Sequence, residues 1–332
     1  MKIIVLREED MNQVFTMKDA IQADKEALAL YSKNEAVIPL RINIDVPKEE
    51  GQSLYMPGYA PGASALGIKI ISVYPKNLDR GLPSVPATMV LINEKTGEVC
   101  AIMDGTHLTR IRTGAVSGAA TELLARKDAK IFALFGTGGQ AESQLEAVLE
   151  VRDIQEVRIF GRNKERAQDF AQRMTEKFGE KYGVRLLVAQ SPEEAIHNAD
   201  IITAVTTAKK PVFDGRLVKK GAHINGVGSY TPDMQEIDEY TLLNADKVYV
   251  DTRDGVLNES GDFIIPMRAN KCTQEIVTGE LGEVILGKVP SRERGEEITF
   301  FKSVGSSVLD IVTAQRIYEK AVEKGVGQEI DL

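Results

Sequence analysis

The chain has 332 residues, 43% of them hydrophobic and 27% charged, and a formal net charge of −8. This is the composition of an ordinary globular protein, long enough for two cores, and its acidic balance excludes a basic face for nucleic acid or an anionic membrane. Only Cys100 and Cys272 are present, which excludes a disulfide framework or cysteine-rich metal site and fits a reducing compartment.

The opening MKIIVLREEDMNQ turns acidic at once and reads as a first strand rather than a signal peptide. No apolar run approaches the roughly 20 residues of a bilayer span, and the expected compartment is the cytoplasm. TMKDAIQADKEALALYSK follows with its apolar positions at helical spacing, then RINIDV as a strand. ALGIKIISVYP, residues 65–75, sets a lysine inside a β-branched run. With period two, Gly67, Lys69, Ile71 and Val73 share one face and Ile68, Ile70 and Ser72 the other. The window by itself favours an edge strand whose lysine guards against pairing. The alternative is a cation held in a cleft to meet a carboxylate. TMVLINEKTGEVCAIMDG reads as a hairpin turning at NEKTGE. THLTRIRTGAVSGAATELLAR reads as a helix opening on a capping threonine, with small residues along one closely packed side.

From Lys130 strands and helices alternate: KIFALFG, QAESQLEAVLEV, EVRIF, RNKERAQDFAQRMTEKF, RLLVAQ, SPEEAIHNA and DIITAVT, with HINGVG and KVYVD as further strands. This alternation predicts an α/β fold with a doubly wound parallel sheet. The final GSSVLDIVTAQRIYEKAVEK is one amphipathic helix, expected to pack back on the first domain. The expected division is 1–125 with 306–332, and 126–305.

IFALFGTGGQAESQ places Gly136, Gly138 and Ala141 after an apolar strand and at the mouth of a helix. This is the G-x-G-x-x-A pattern of a dinucleotide site: a tight turn, close approach of backbone to pyrophosphate, and close helix–strand packing. The helix N-terminus adds free N–H groups and a positive dipole end. An NAD site usually carries an acid at the end of the next strand; here RIFGRNKERA supplies Gly161, Arg162, Asn163 and Lys164. Arg162 and Lys164 would welcome a 2′-phosphate, so NADP(H) is favoured, with NAD(H) as the alternative.

Arg41, Lys69 and Arg112 each stand beside apolar or small residues ahead of the nucleotide domain. An arginine fork suits a carboxylate bidentately and a lysine adds a point charge. Thr113 next to Arg112 could reach the cofactor while Arg112 reaches a substrate.

The motifs LRINID, LGIKIISVYP, GLPSVPATMVLINEKTGEVCAIMDGTHLTRIRTGAVSGAAT, FGTGGQA, INGVGSYTPDMQEID, GELGEVILGK and ITFFKSVGSSVLD resemble the ornithine cyclodeaminase/μ-crystallin family over nearly the whole chain. The resemblance implies a bilobal subunit. An N-terminal α/β domain, completed by the last helix, binds substrate and forms a homodimer, and a Rossmann domain binds the nicotinamide cofactor. It implies that Arg41, Lys69 and Arg112 grip the substrate α-carboxylate and that Val304 touches substrate. Ser84, Thr113, Gly139, Gln140, Val227 and Ser303 would line the cofactor.

Members that deaminate ornithine or interconvert alanine and pyruvate carry an aspartate within the segment matching GVGSYTPDMQE, where this chain has Tyr230 after Ser229, and Asp233 only beyond Pro232. Loss of that base should harm imine hydrolysis more than hydride transfer. The implied activity is reduction of a small cyclic ketimine carboxylate, Δ1-pyrroline-2-carboxylate to proline or its six-membered homologue to pipecolate. Lys69, Tyr230 or a water would handle the proton. The alternatives are an ornithine cyclodeaminase, an alanine-type dehydrogenase and a non-catalytic binding protein. His107, His197 and His223 are scattered and give no metal spacing. Glu259 and Asp262 in NESGDFIIP are expected to cap or to meet a second subunit.

Overall fold

The computed structural model describes residues 1–332, apart from the side chain of Leu78. The chain divides into two compact units, Met1–Arg112 with Ser306–Leu332, and Thr113–Gly305. The division falls inside the Gly105–Leu124 helix rather than after it.

The first unit opens with β1 (Lys2–Leu6), β2 (Ile42–Val46), β3 (Gly51–Ala60), β4 (Ala65–Val73), β5 (Ala87–Ile92) and β6 (Val99–Asp104). Between β1 and β2 runs the Met17–Ser32 helix, which starts on a reciprocal cap: the Thr16 hydroxyl accepts the Asp19 N–H, and the Asp19 carboxylate accepts the Thr16 N–H. β5 and β6 form the expected antiparallel hairpin. Its turn closes on Gly97, which adopts φ +75° and donates its N–H to the Asn93 carbonyl. The next helix begins at Gly105, two residues earlier than a cap at Thr106 would place it. Asp104 Oδ1 accepts the N–H groups of Thr106 and His107 and is the cap, while the Thr106 hydroxyl accepts the Ala87 N–H.

The second unit contains β7 (Ile131–Phe135), β8 (Glu156–Phe160), β9 (Arg185–Val188), β10 (Ile201–Ala204), β11 (His223–Gly226), β12 (Lys247–Val250), β13 (Gly279–Glu280) and β14 (Thr299–Lys302). All pair in parallel, in the order β13-β12-β14-β11-β10-β7-β8-β9. The run β9-β8-β7-β10-β11-β14 is the 3-2-1-4-5-6 order of dinucleotide-binding doubly wound sheets. Helices cover both faces, and the central β7 is accordingly a continuous apolar run: Phe132, Ala133, Leu134 and Phe135 are all buried.

Buried polar side chains interrupt this core, His223 among them. His223 is fully buried, with Nδ1 2.9 Å from Thr299 Oγ1 and Nε2 3.0 Å from Asn225 Oδ1. Burial, reinforced by the Arg292 charge, pushes its pKa down to about 3. Because the folded value lies below the unfolded one, the stability of neutral His223 is intact above the unfolded pKa of about 6.5 and is lost progressively toward pH 3. The loss is at most about 1.4 kcal/mol per pH unit. Urea unfolding of His223→Gln is therefore expected to depend less steeply on pH than wild type between about pH 6 and pH 4. Identical slopes would show that His223 is not the titrating group.

The chain then returns to the first unit with the Ser307–Lys324 helix and β15 (Gln328–Asp331). β15 pairs antiparallel with β1, completing the sheet order β15-β1-β6-β5-β4-β3-β2. The helix packs across β3, β4 and β5 and against Met17–Ser32, and the Ser307 hydroxyl donates to the Pro57 carbonyl at 2.8 Å. β4 is thus an interior strand between β3 and β5, which overturns the edge-strand reading of Lys69. Its buried face carries Ala65, Gly67, Lys69 and Ile71; the opposite face leaves Ile70 exposed, in one row with Ile42 of β2. Among the described residues no helix is long and apolar enough to cross a membrane.

Candidate active site

Lys69 on β4, Arg112 on the Gly105–Leu124 helix and Asp310 in the first turn of the Ser307–Lys324 helix meet inside the first unit, all buried. Arg112 Nε donates to Asp310 Oδ1 at 2.8 Å. Lys69 Nζ lies 2.7 Å from Asp310 Oδ2, a buried ion pair. Burial pushes the Lys69 pKa down to about 7; Asp310 opposes this, while the Arg112 and Arg41 charges add to it. For Asp310, burial works upward, but the Arg112 and Lys69 cations outweigh it and hold the carboxyl below its usual range. Asp24, on the Met17–Ser32 helix, accepts the Thr313 hydroxyl at 3.0 Å. Burial raises its carboxyl well above the usual range against the opposing Arg112 charge.

Lys69 and Arg112 thus share one ionised carboxylate, with the half-buried Arg41 near enough to act on Lys69 electrostatically. A buried group of this kind carries surplus positive charge and suits an organic anion. Asp310 and Asp24 were not among the residues singled out from sequence. Asp310 had a signal, as the one acid in the small and apolar GSSVLDIV.

In the second unit Gly136 takes φ +109° and donates its N–H to the Phe160 carbonyl at 2.9 Å. A Cβ there would come within 2.6 Å of the Val205 carbonyl oxygen, so only glycine fits. Cβ atoms added at Gly138 or Gly139 would meet nothing within 4 Å, leaving the outer side of the loop open. Ala141 is buried at the start of the Ala141–Val151 helix. The preceding Gln140 has a buried Oε1 with no partner among the described residues. Open backbone at a helix N-terminus fits the phosphates of a dinucleotide, and the orphaned Gln140 oxygen suits a donor such as a ribose hydroxyl. Thr113 is carried alongside, its carbonyl accepting Gln144 Nε2 at 2.7 Å.

At the end of β8, Asn163 is spent as the cap of Lys164–Met174, accepting the Arg166 N–H at 2.8 Å, and Lys164 donates to Gln190 Oε1 at 2.9 Å. Arg162 is exposed. Across the sheet, Val227 donates its N–H to the Ala204 carbonyl and Ser303 to that of Gly226. The Ser303 hydroxyl donates to Asp251 Oδ2 at 2.6 Å, and the same oxygen accepts the N–H groups of Val304 and Gly305. Gly136, Val227, Ser303 and Val304 therefore gather at the carboxyl ends of β7, β11 and β14, where such sheets bind ligands. Ser84 lies in the first unit, its carbonyl accepting the Tyr74 N–H.

The Tyr230 ring packs against the apolar core. Asp233 faces Lys209 at 2.7 Å and accepts the Thr231 hydroxyl, so it is not free to act as a base. Asp262 is buried and accepts the N–H groups of Glu236 and Ile237, which makes it neither a helix cap nor a subunit contact. Glu259 is half-buried at the end of Arg253–Glu259.

The model of the ornithine cyclodeaminase/mu-crystallin family matches residues 1–325. A Delta(1)-pyrroline-2-carboxylate reductase of Bacillus cereus is 41% identical over 329 residues, 99% of this chain and 100% of its own. The Thermococcus litoralis Delta(1)-pyrroline-2-carboxylate reductase, solved in complex with NADH and L-proline, superposes with a TM-score of 0.94 at 41% identity, covering 99% of this chain and 100% of that one. An archaeal alanine dehydrogenase dimer with bound NAD gives 0.92 at 34% identity over the full length of both. With its two folded units and these matches over the full length, the chain belongs to the ornithine cyclodeaminase/mu-crystallin family.

Proposed function

We propose that this protein is an NAD(P)H-dependent reductase of small cyclic ketimine carboxylates, turning Δ1-pyrroline-2-carboxylate into L-proline or the six-membered homologue into pipecolate. The observation that carries the reading is the buried Lys69–Asp310–Arg112 cluster with its surplus cation. Arg112 and Arg41 hold the substrate carboxylate, and Lys69, poised near neutrality, gives its proton to the imine nitrogen as the C=N bond is reduced. The bound reduced nicotinamide would supply the hydride that the imine carbon accepts. Lys69 is favoured over Tyr230 as the donor because it stands in the cation cluster with its pKa pushed down to about 7.

An ornithine cyclodeaminase also needs a base to activate water. In GVGSYTPDMQE, Asp233 is paired with Lys209 and Glu236 is buried on backbone N–H groups, which leaves no carboxylate for that work. The test is an oxidation screen of NADPH and NADH over five- and six-membered cyclic ketimine acids, with ornithine plus NAD⁺ and pyruvate plus ammonia as counter-assays. Ammonia from ornithine without net cofactor change would replace this reading with the cyclodeaminase.

In this reading the first unit binds substrate and forms the homodimer, and the second binds the dinucleotide. The exposed row of Ile42 and Ile70, with Ile44 beside it on β2, is the apolar surface a second copy would cover. Arg162, at the end of β8 where an NAD-type acid would stand, favours NADPH. Arg162→Asp is expected to shift the ratio of NADPH to NADH dissociation constants about tenfold or more toward NADH; an unchanged ratio would remove Arg162 from the site.

A further inference from the structure

Lys302 closes β14, and its Nζ lies 2.8 Å from Asp262 Oδ2 and 4.0 Å from Glu236 Oε1, all three side chains being fully enclosed. Asp262 Oδ1 accepts the N–H groups of Glu236 and Ile237 at 2.8 and 3.0 Å, fixing the backbone that carries Glu236. The Glu236 carboxylate then spans two turns. Its Oε1 accepts the Gly228 N–H at 2.6 Å, and its Oε2 accepts the Thr206 N–H at 2.9 Å and hydroxyl at 3.0 Å. Those turns touch: a Cβ on Gly228 would come within 2.1 Å of the Thr206 carbonyl oxygen.

Thr206 follows β10, Gly228 follows β11 and Lys302 ends β14, so the cluster ties together the carboxyl ends of three adjacent strands. In a sheet of this order the glycine loop after the first strand takes the pyrophosphate, and the end of the second strand takes the adenosine ribose. The β10, β11 and β14 ends are then left for the other half of the dinucleotide.

We infer that Glu236, Asp262 and Lys302 are positioning residues for the nicotinamide half of the cofactor, acting through the Thr206 turn, the Val227–Gly228 turn and the Lys302–Ser303 step. The inference rests on the dinucleotide reading above. Glu236 is suited to the task because every described hydrogen bond of its carboxylate is an accepted one. Glutamine in its place would aim an amide N–H₂ at the Gly228 donor or at the Thr206 donors, whichever way it flips.

The test uses the full chain and two ligands: reduced dinucleotide, followed by its fluorescence, and ADP-ribose, which lacks the nicotinamide, followed by calorimetry. Glu236→Gln is expected to weaken the dinucleotide about tenfold or more while leaving ADP-ribose within about twofold. Thr206→Val, which removes one hydroxyl bond and no charge, serves where Glu236→Gln does not fold, and is expected to weaken the dinucleotide about threefold with ADP-ribose again unchanged. Equal weakening of both ligands, or of neither, would overturn the assignment by making the cluster a general prop of the fold. Wild-type protein that binds neither ligand would fail the dinucleotide reading itself.

Discussion

Lys69→Met is expected to lower kcat by about 10²–10⁴-fold while dinucleotide affinity stays within about twofold of wild type. Methionine preserves the unbranched bulk of the buried stem, and Asp310 retains its hydrogen bond from Arg112, so the fold should persist. Lost are the proton for the imine nitrogen and one cation facing the substrate carboxylate. The wild-type pH profile carries the same signature. Burial sets the Lys69 pKa near 7, and the protonated form is the working acid. The kcat/KM for reduction, which reports the free enzyme, should therefore fall as pH rises through about 7, approaching tenfold per unit. A bound carboxylate adds negative charge beside the ammonium, so the corresponding limb in kcat should lie at higher pH. A kcat/KM flat from about pH 6 to pH 9, or a methionine variant that loses dinucleotide binding, would show that the proton comes from elsewhere.

What the sequence made legible follows from how local each signal is. The period-two pattern of β4 assigned Lys69 to the same face as Gly67 and Ile71, which is the buried one. The Met17–Ser32 helix, the β5–β6 hairpin and the Gly136 turn each depend on neighbours a few residues apart, and all formed. β3 was hidden because it carries Pro57 and Gly58, which weaken a strand pattern. Folded, both have long-range reasons: the Pro57 carbonyl accepts the Ser307 hydroxyl, and the bare Gly58 leaves room for Ile38 and Ile311, whose ends would lie 3.0 Å from a Cβ. The pairing of Asp310 was illegible for the same reason, Arg112 standing 198 residues away in the chain. No periodicity links an acid on the last helix to a lysine on the fourth strand. The Glu236–Asp262–Lys302 cluster likewise joins three separate segments, so Asp262 read as a cap or subunit contact and Glu236 gave no reading at all.

Asp310→Asn is the second large effect to expect, and the more discriminating one. The substitution keeps the shape and removes the carboxylate that Lys69 and Arg112 share. Leaving buried charges without their partner costs about 3–5 kcal/mol. Here part of that is avoidable, because Lys69 can give up its proton. Without Asp310, burial and the Arg112 and Arg41 charges act on Lys69 unopposed, so its folded pKa should move further below the unfolded value. With the folded value depressed, the variant gains stability as pH rises between the two pKa values and loses it toward acid. It should unfold at lower denaturant at pH 6 than at pH 8, and the alkaline limb of its kcat/KM should move to lower pH by about one unit or more. A ligand carboxylate such as that of L-proline returns the missing charge, so it should raise the unfolding midpoint of the variant more than that of wild type. Asp24→Asn is the control. Burial already pushes the Asp24 carboxyl well above its usual range, toward its neutral form, so an amide there should move profile and stability less than one at Asp310. If Asp310→Asn behaved like Asp24→Asn, the Asp310 carboxylate would be filling space, and the proton affinity of Lys69 would have to come from the substrate alone.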